Sequence, residues 1–238
     1  MIGCKCEVCS SLDFRDKRLR SSVYLEADGK AVIIDTGPDF RQQVLREGIT
    51  RIDAVLITHA HRDHIAGLDD IRAFNQLQSA NMQIFGRSEA LDRVRVEFDY
   101  AFAEHRYPGI PQLQLHEIDA QAFVAEGVKV IPLPVYHHRL PVLGFRIGSF
   151  SYITDANSIP DQTLSLLDGT DTLVLNALQR EKHISHFNLE EAIAAAEKIG
   201  ARTTYFTHIS HNLGMHKAVS KLLPASISLA YDGLTIEL

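Results

Sequence analysis

The chain has 238 residues, of which 45% are hydrophobic and 23% charged, with a formal charge of −6. That is enough apolar material for one sizeable core, and the reading is one compact domain over 1–238. The acidic balance excludes a general basic surface for gripping long nucleic acid, so a small-molecule partner is expected and extended nucleic acid is not.

In chain order, the first feature is Met1-Ile-Gly-Cys4-Lys-Cys6-Glu-Val-Cys9. It lacks the charged start and apolar core of a secretory signal, and no apolar run reaches the about 18 residues of a membrane span, so a cytoplasmic protein is expected. All three cysteines of the chain fall in these positions. Cys4 and Cys6 are too close to bridge easily, and a metal site needing one further ligand suits them better than disulfides. A redox pair Cys6-x-x-Cys9 is the alternative. The run Arg15–Arg20 reads as a solvated face or loop.

Strands are expected at Ser22–Glu26, Ala31–Asp35, Ala54–Thr58 and Met82–Phe85, where β-branched and aliphatic residues run up to a polar stop. Further strands are expected at Val128–Val135, Gly144–Ile147, Ser151–Thr154, Thr172–Leu175, Thr203–Thr207 and Ser226–Ala230, before a Tyr231-Asp232-Gly233 turn. Ile65, Leu68, Ile71, Phe74 and Leu77 share one helical face. A second helix is expected over Ser88–Ala103. A third covers Leu189–Ile199, opening with Asn188 and Glu191 in capping-box spacing and ending at Gly200. Arg106–Pro111 reads as a rigid loop. Sheets packed with helices outside fit this order.

The stretch Thr58-His59-Ala-His61-Arg-Asp63-His64 places four potential ligands at a strand-to-helix junction. Residues two apart in extended backbone point the same way, so His59 and His61 can grip one metal. Asp63 and His64 open the following helix, and a second ion beside the first is the economical inference. Imidazole and carboxylate suit zinc, manganese or iron.

This motif resembles the signature of the metallo-β-lactamase superfamily, an α/β fold built as a four-layer αβ/βα sandwich whose members mostly hydrolyse esters, thioesters, lactams or phosphodiesters at a dinuclear metal centre. The resemblance extends to His137, Asp155 and His208, each closing an expected strand. It implies that His59, His61 and His137 hold one metal, Asp63, His64 and His208 the other, and that Asp155 bridges. A narrower resemblance covers nearly the whole chain. Gly3-Cys4-x-Cys6-x-x-Cys9, Thr207-His208-Ile209-Ser210-His211 and Tyr231-Asp232-Gly233 are similar to the cyclic phosphodiesterases of bacterial phosphonate breakdown, which cleave phosphoribosyl 1,2-cyclic phosphate. It implies a structural zinc held by Cys4, Cys6, Cys9 and His211. Members of that family usually carry a strand upstream of the first cysteine, and an expectation here is that this strand is missing.

The expected function is that of a metal-dependent phosphodiesterase acting on a small cyclic or nucleotide-like phosphodiester. Two active-site Zn2+ or Mn2+ about 3.5 to 4 Å apart would supply hydroxide at neutral pH. Asp63 would accept its proton, and His186, by the same family comparison, would protonate the leaving group from a neutral-range pKa. Asp35, in Ile33-Ile34-Asp35-Thr36-Gly37, resembles the superfamily aspartate that orients the ligand loop, though it could equally form a turn. Arg72, Arg139 and Arg180 are the candidates for substrate phosphate. His105, His116 and His216 receive no role, while His138 and His183 stay undecided. The rivals are a tRNA 3′-processing endonuclease, a thioester or lactone hydrolase of the glyoxalase II type and a non-catalytic metal-binding module. The sequence leaves a homodimer open.

Overall fold

The first regular element, α1 (Glu7–Ser10), is a single turn whose N-cap is Cys6, the sulfur accepting the Cys9 amide at 3.5 Å. The computed structural model describes residues 1–104 and 108–238. His105 therefore lies outside the described residues, as do Arg106 and Tyr107 of the expected loop. The chain divides into two compact units, Arg20–Val130 and Met1–Leu19 with Ile131–Leu238.

In the Arg20–Val130 unit, β1 (Val23–Ala27) and β2 (Lys30–Ile34) form an antiparallel hairpin. Asp28 and Gly29 turn it with φ of 52° and 72°, the double left-handed geometry that an Asp-Gly pair accepts most readily. Then follow α2 (Phe40–Glu47), β3 (Ala54–Leu56), α3 (Arg62–Ile65), α4 (Arg72–Gln78), β4 (Met82–Gly86), α5 (Ser88–Glu97), β5 (Leu113–Glu117) and β6 (Phe123–Ala125). The sheet runs β1-β2-β3-β4-β5, parallel from β2 onward. Parallel neighbours in sequential order need right-handed crossovers, which put their helices on one face. Ile33, Val55 and Ile84 accordingly share a core with Phe40, Val44, Phe74, Leu91 and Val94.

The expected helical face from Ile65 to Leu77 is broken. Helix α3 stops at Ile65, a 3-10 turn spans Leu68–Ile71, and α4 begins at Arg72. The cause is at Gly67, whose amide donates to the Thr36 carbonyl at 2.8 Å. A Cβ there would collide with the Gly37 carbonyl, so the chain turns where two backbones touch. Leu77, at the end of the expected face, is exposed. Helix α5 likewise stops at Glu97, short of Ala103, and gives way to a 3-10 turn at Asp99–Ala101.

In the other unit, β7 (Val128–His137), which hairpins with β6 through its first residues, continues from Ile131 into a sheet ordered β12-β11-β10-β9-β8-β7. Its elements are β8 (Leu140–Ile147), β9 (Phe150–Ile153), α6 (Asp161–Leu166), β10 (Thr172–Asn176), α7 (Leu189–Ile199), β11 (Thr203–Thr207), α8 (His216–Val219) and β12 (Ile227–Leu229). Strands β7 to β9 are antiparallel, and β9 to β12 are parallel. Leu133, Ile153, Leu173, Leu175 and Phe206 pack with Ala192 and Ala196 of α7. The capping box at the start of α7 is complete, and Gly200 closes the helix with φ 73°.

The run Arg15–Arg20, expected as a solvated face or loop, leaves a 3-10 turn at Phe14–Asp16 and continues as loop, but it is only partly solvated. Buried Asp16 accepts the His216 amide and the Ser11 hydroxyl, each at 2.7 Å. Arg18 donates to the Ala230 carbonyl and lies 3.2 Å from His216 Nδ1, while Asp232 accepts the Leu19 amide at 2.9 Å. His216, given no role by the sequence, thus belongs to the polar seat of the N-terminal segment. Among the described residues, no helix is long and apolar enough to cross a membrane.

Candidate metal centre and catalytic residues

Strands β2 and β3 end side by side, and each delivers functional residues at its carboxyl end, the edge where α/β sheets place ligands. Asp35 follows β2 with φ 62° and no exposed surface. Its Oδ1 accepts the Thr58 amide at 2.9 Å, and its Oδ2 accepts the Thr58 hydroxyl and His64 Nδ1, both at 2.7 Å. Thr58 has therefore spent its proton on Asp35 and accepts from His59 Nδ1 at 3.0 Å. One carboxylate thereby sets two tautomers, leaving Nε2 of His59 and Nε2 of His64 as ligand atoms.

His59 Nε2 lies 2.9 Å from His61 Nδ1. Two nitrogens bound tetrahedrally at about 2.0 to 2.1 Å would be about 3.3 Å apart, so the pair is within a few tenths of an ångström of chelating geometry. Asp63 sits half-buried on α3, its Oδ2 3.6 Å from His64 Nε2. A Cβ on Gly37 would strike the Asp63 carbonyl, so the Asp35–Gly37 turn and the ligand helix fit only backbone against backbone.

The second unit assembles its own donor set. His137, at the end of β7, donates Nδ1–H to the Ser185 carbonyl at 2.8 Å, which makes Nε2 its ligand atom. Asp155 follows β9 and His208 follows β11, both in left-handed backbone at φ 52°. Such conformations cost energy and gather where function over-determines the backbone. Asp155 accepts the Thr154 hydroxyl at 2.7 Å, and its two oxygens lie 2.9 Å from His186 Nε2 and 3.3 Å from His208 Nε2. Buried Asn176 holds both backbone groups of Ala156, fixing the turn that presents Asp155. Ligand atoms of His137, Asp155 and His186 lie within 4.8 Å of one another.

His186 departs from expectation in its basicity. Burial pushes its pKa down to about 3, outweighing the attraction of the Asp155 carboxylate, so the neutral-range value expected of it is not found.

Cys4, Cys6, Cys9 and His211 come together in this same unit, with ligand atoms within 4.8 Å of one another. His211 Nδ1 stands 3.5 Å from Cys4 Sγ and 3.4 Å from Cys6 Sγ. A tetrahedral zinc with bonds of about 2.3 Å to sulfur and 2.0 Å to nitrogen has an S–N edge of about 3.5 Å, so the donors fit it. The Cys9 amide and then the His211 ring lower the Cys6 thiol pKa to about 6, which favours the thiolate that a metal requires.

The phosphate candidates are three arginines, each with its own local setting. Arg72 opens α4 and faces Asp69 at 3.6 Å, Arg180 donates to the Leu213 carbonyl at 2.9 Å, and Arg139 is exposed in the β7–β8 turn. His138, in the same turn with φ 58°, donates its amide to Asn157; His183 accepts the Ser185 amide at 3.4 Å through Nδ1. His116 is bonded to Gln83 and stacks on Phe85, in keeping with its having no expected role. The supporting residues that the sequence reading missed are Thr58, Thr154, Asn176 and Ser185. For the two threonines the signal was present, since each directly precedes a proposed ligand.

Comparison with known proteins agrees with this chemistry. The family model described as a Beta-lactamase superfamily domain matches residues 30–209. A crystal structure of a diphosphatase from the PhnP family is 44% identical with a TM-score of 0.92, covering 100% of this chain and 91% of that one. An octanoyltransferase of Porphyromonas gingivalis is 39% identical over 98% of this chain; the chain spans about half the length of that relative, 48%. A ribonuclease Z of Mycobacterium bovis is 28% identical over 83% of this chain and 82% of its own.

Proposed function

The chain belongs to the β-lactamase superfamily and is a metallo-hydrolase of the PhnP and ribonuclease Z type, and from that premise we propose that it is a dinuclear phosphodiesterase acting on a small organic phosphodiester or diphosphate. The observation that carries the reading is the pairing of His59 Nε2 with His61 Nδ1, under tautomers set by Asp35. The diphosphatase named for the 44% identical relative supports the phosphorus chemistry.

By the family resemblance, His59, His61 and His137 would hold one divalent ion and Asp63, His64 and His208 the other, with Asp155 as the shared ligand. Zinc or manganese suits these donors, and a third ion, zinc, suits the cysteine site. When bound, such a pair lowers the pKa of water and clamps phosphoryl oxygens for in-line displacement. Asp63, half-buried and at the edge of the ligand helix, accepts the proton of the attacking water. His186 holds a proton at Nε2, the atom facing Asp155. Burial makes it a weak base, and an anionic phosphoryl group beside it would offset that penalty. Arg72, Arg139 and Arg180 remain the phosphate candidates, Arg139 being nearest in sequence to a proposed ligand.

The test is hydrolysis of bis(p-nitrophenyl) phosphate by zinc- or manganese-loaded protein, beside precursor tRNA and S-lactoylglutathione. Cleavage of the diester, abolished in Asp155→Asn, is expected. Turnover of the thioester alone overturns the reading, and cleavage of precursor tRNA alone moves it to the ribonuclease branch.

A further inference from the structure

Two loops flank His137 within its own unit, and hydrogen bonds join them into one surface. The β7–β8 turn consists of His138 and Arg139, with His137 opposite Leu140 in register. The His138 amide donates to Asn157 Oδ1 at 2.8 Å, and Asn157 Nδ2 donates to the Ile184 carbonyl at 3.0 Å. His137 itself donates to the next carbonyl, that of Ser185. Directly opposed residues of an antiparallel ladder put their side chains on one face, so Leu140 shares the His137 side of the sheet.

Leu140 is 41% exposed and Ile184 69%, beside a histidine that is only 9% exposed. The same segments expose Arg139, Lys182, His138 and His183. Glu181 is the sole carboxylate in 136–141 and 180–185, in a chain of charge −6. Two open aliphatic side chains, in segments that also expose the cations of Arg139 and Lys182, complement an anion that carries a flat apolar group. Inorganic phosphate or a bare sugar phosphate would leave the aliphatic pair in water.

We propose that Leu140 and Ile184, with Arg139 beside them, form a lip that binds the leaving group of the substrate, and that this group is an aromatic or heterocyclic ring on a phosphate ester, as in a nucleoside phosphate. The reading rests on the hydrolase assignment for its chemistry, but the binding needs no turnover.

The experiment compares binding of AMP and ribose 5-phosphate to the zinc-loaded full chain by calorimetry, since the two ligands differ by the ring. AMP should bind about tenfold tighter or more. Leu140→Ser and Ile184→Ser should each reduce that ratio to about threefold or less, and Leu140→Met should retain it. Both sites are exposed, so the variants should fold. Equal affinities in the parent protein, or a ratio that survives both serine variants, overturns the lip. A tenfold ratio in the parent that both serine variants lose, in a protein that cleaves no phosphodiester, leaves the lip standing and removes the hydrolase reading. Cleavage of bis(p-nitrophenyl) phosphate with a ratio of one does the reverse.

Discussion

Asp35 Oδ2 accepts His64 Nδ1 at 2.7 Å, with both side chains essentially sealed from solvent. The same carboxylate takes two bonds from Thr58 and, through that hydroxyl, orients His59. Asp35→Ala should therefore weaken metal binding at the histidine site about 10- to 100-fold, read by competition with a chromogenic chelator. Zinc in the cysteine site should be retained. Unchanged affinity at both sites would show that Asp35 is only a turn former.

The cysteine cluster predicts a separate ion. Cys6→Ser and His211→Ala should each cost one zinc per chain by elemental analysis and lower Tm by more than about 5 °C, because metal binding energy is folding energy. A variant that keeps its full zinc content would exclude the site. Disulfide formation by Cys6 and Cys9 in purified protein, with no zinc present, would restore the redox alternative.

How much of this was legible in the sequence depended on range. Ligands that close a strand, such as His137 at the end of β7 and His208 after β11, were visible because each strand is a short run of β-branched, aliphatic or aromatic residues with a polar stop. Helix α7 was visible through Asn188, Glu191 and Gly200, whose chemistry is local. Helix α2 was missed because only Phe40 and Val44 of its eight residues are buried, too few to mark a periodic face. Strands β5 and β6 were missed where burial is partial and the runs are short. The Asp16–His216 contact joins residues 200 apart, and no local pattern encodes it. The low basicity of His186 is likewise a product of burial, which spacing does not reveal.

Gly67→Ala should destabilise the ligand loop. The added Cβ meets the Gly37 carbonyl and Phe40 Cβ, of which the backbone atom has nowhere to go. Overpacking of this kind costs about 1 to 3 kcal/mol, and denaturant unfolding should show it together with reduced metal content at the histidine site. Full stability and full metal loading would mean that the two turns are not packed as described.

Asn188→Ala removes the side chain that accepts the Glu191 amide at 2.8 Å, and the reciprocal bond from the residue 188 amide to the Glu191 carboxylate loses its geometry. About 1 kcal/mol is expected, or a fall in Tm of about 2 to 4 °C for a chain of this size. Since Phe187 and His186 lead into this cap, kcat should fall more than the small stability loss explains. An unchanged kcat at a temperature where the variant is folded would detach the cap from catalysis.

The seat of the N-terminal segment makes stability depend on pH through His216. Burial, then the Arg18 and Arg15 charges, lower its pKa from the ordinary 6.5, against the opposing pull of Asp13 and Asp16. Above 6.5 the ring is neutral in folded and unfolded chains alike, and it contributes no pH dependence. Below 6.5 the unfolded chain takes up a proton that the folded chain refuses, so stability falls as pH drops from 6.5 toward the lowered folded value. His216→Asn can still accept from Arg18 but cannot charge. Its Tm should be lower than that of the parent at pH 7.5, and the gap should narrow at pH 5.5 by scanning calorimetry of both proteins. A gap that stays constant or widens on acidification would mean that His216 is protonated in the folded chain, and that the Arg18 contact is not the one described.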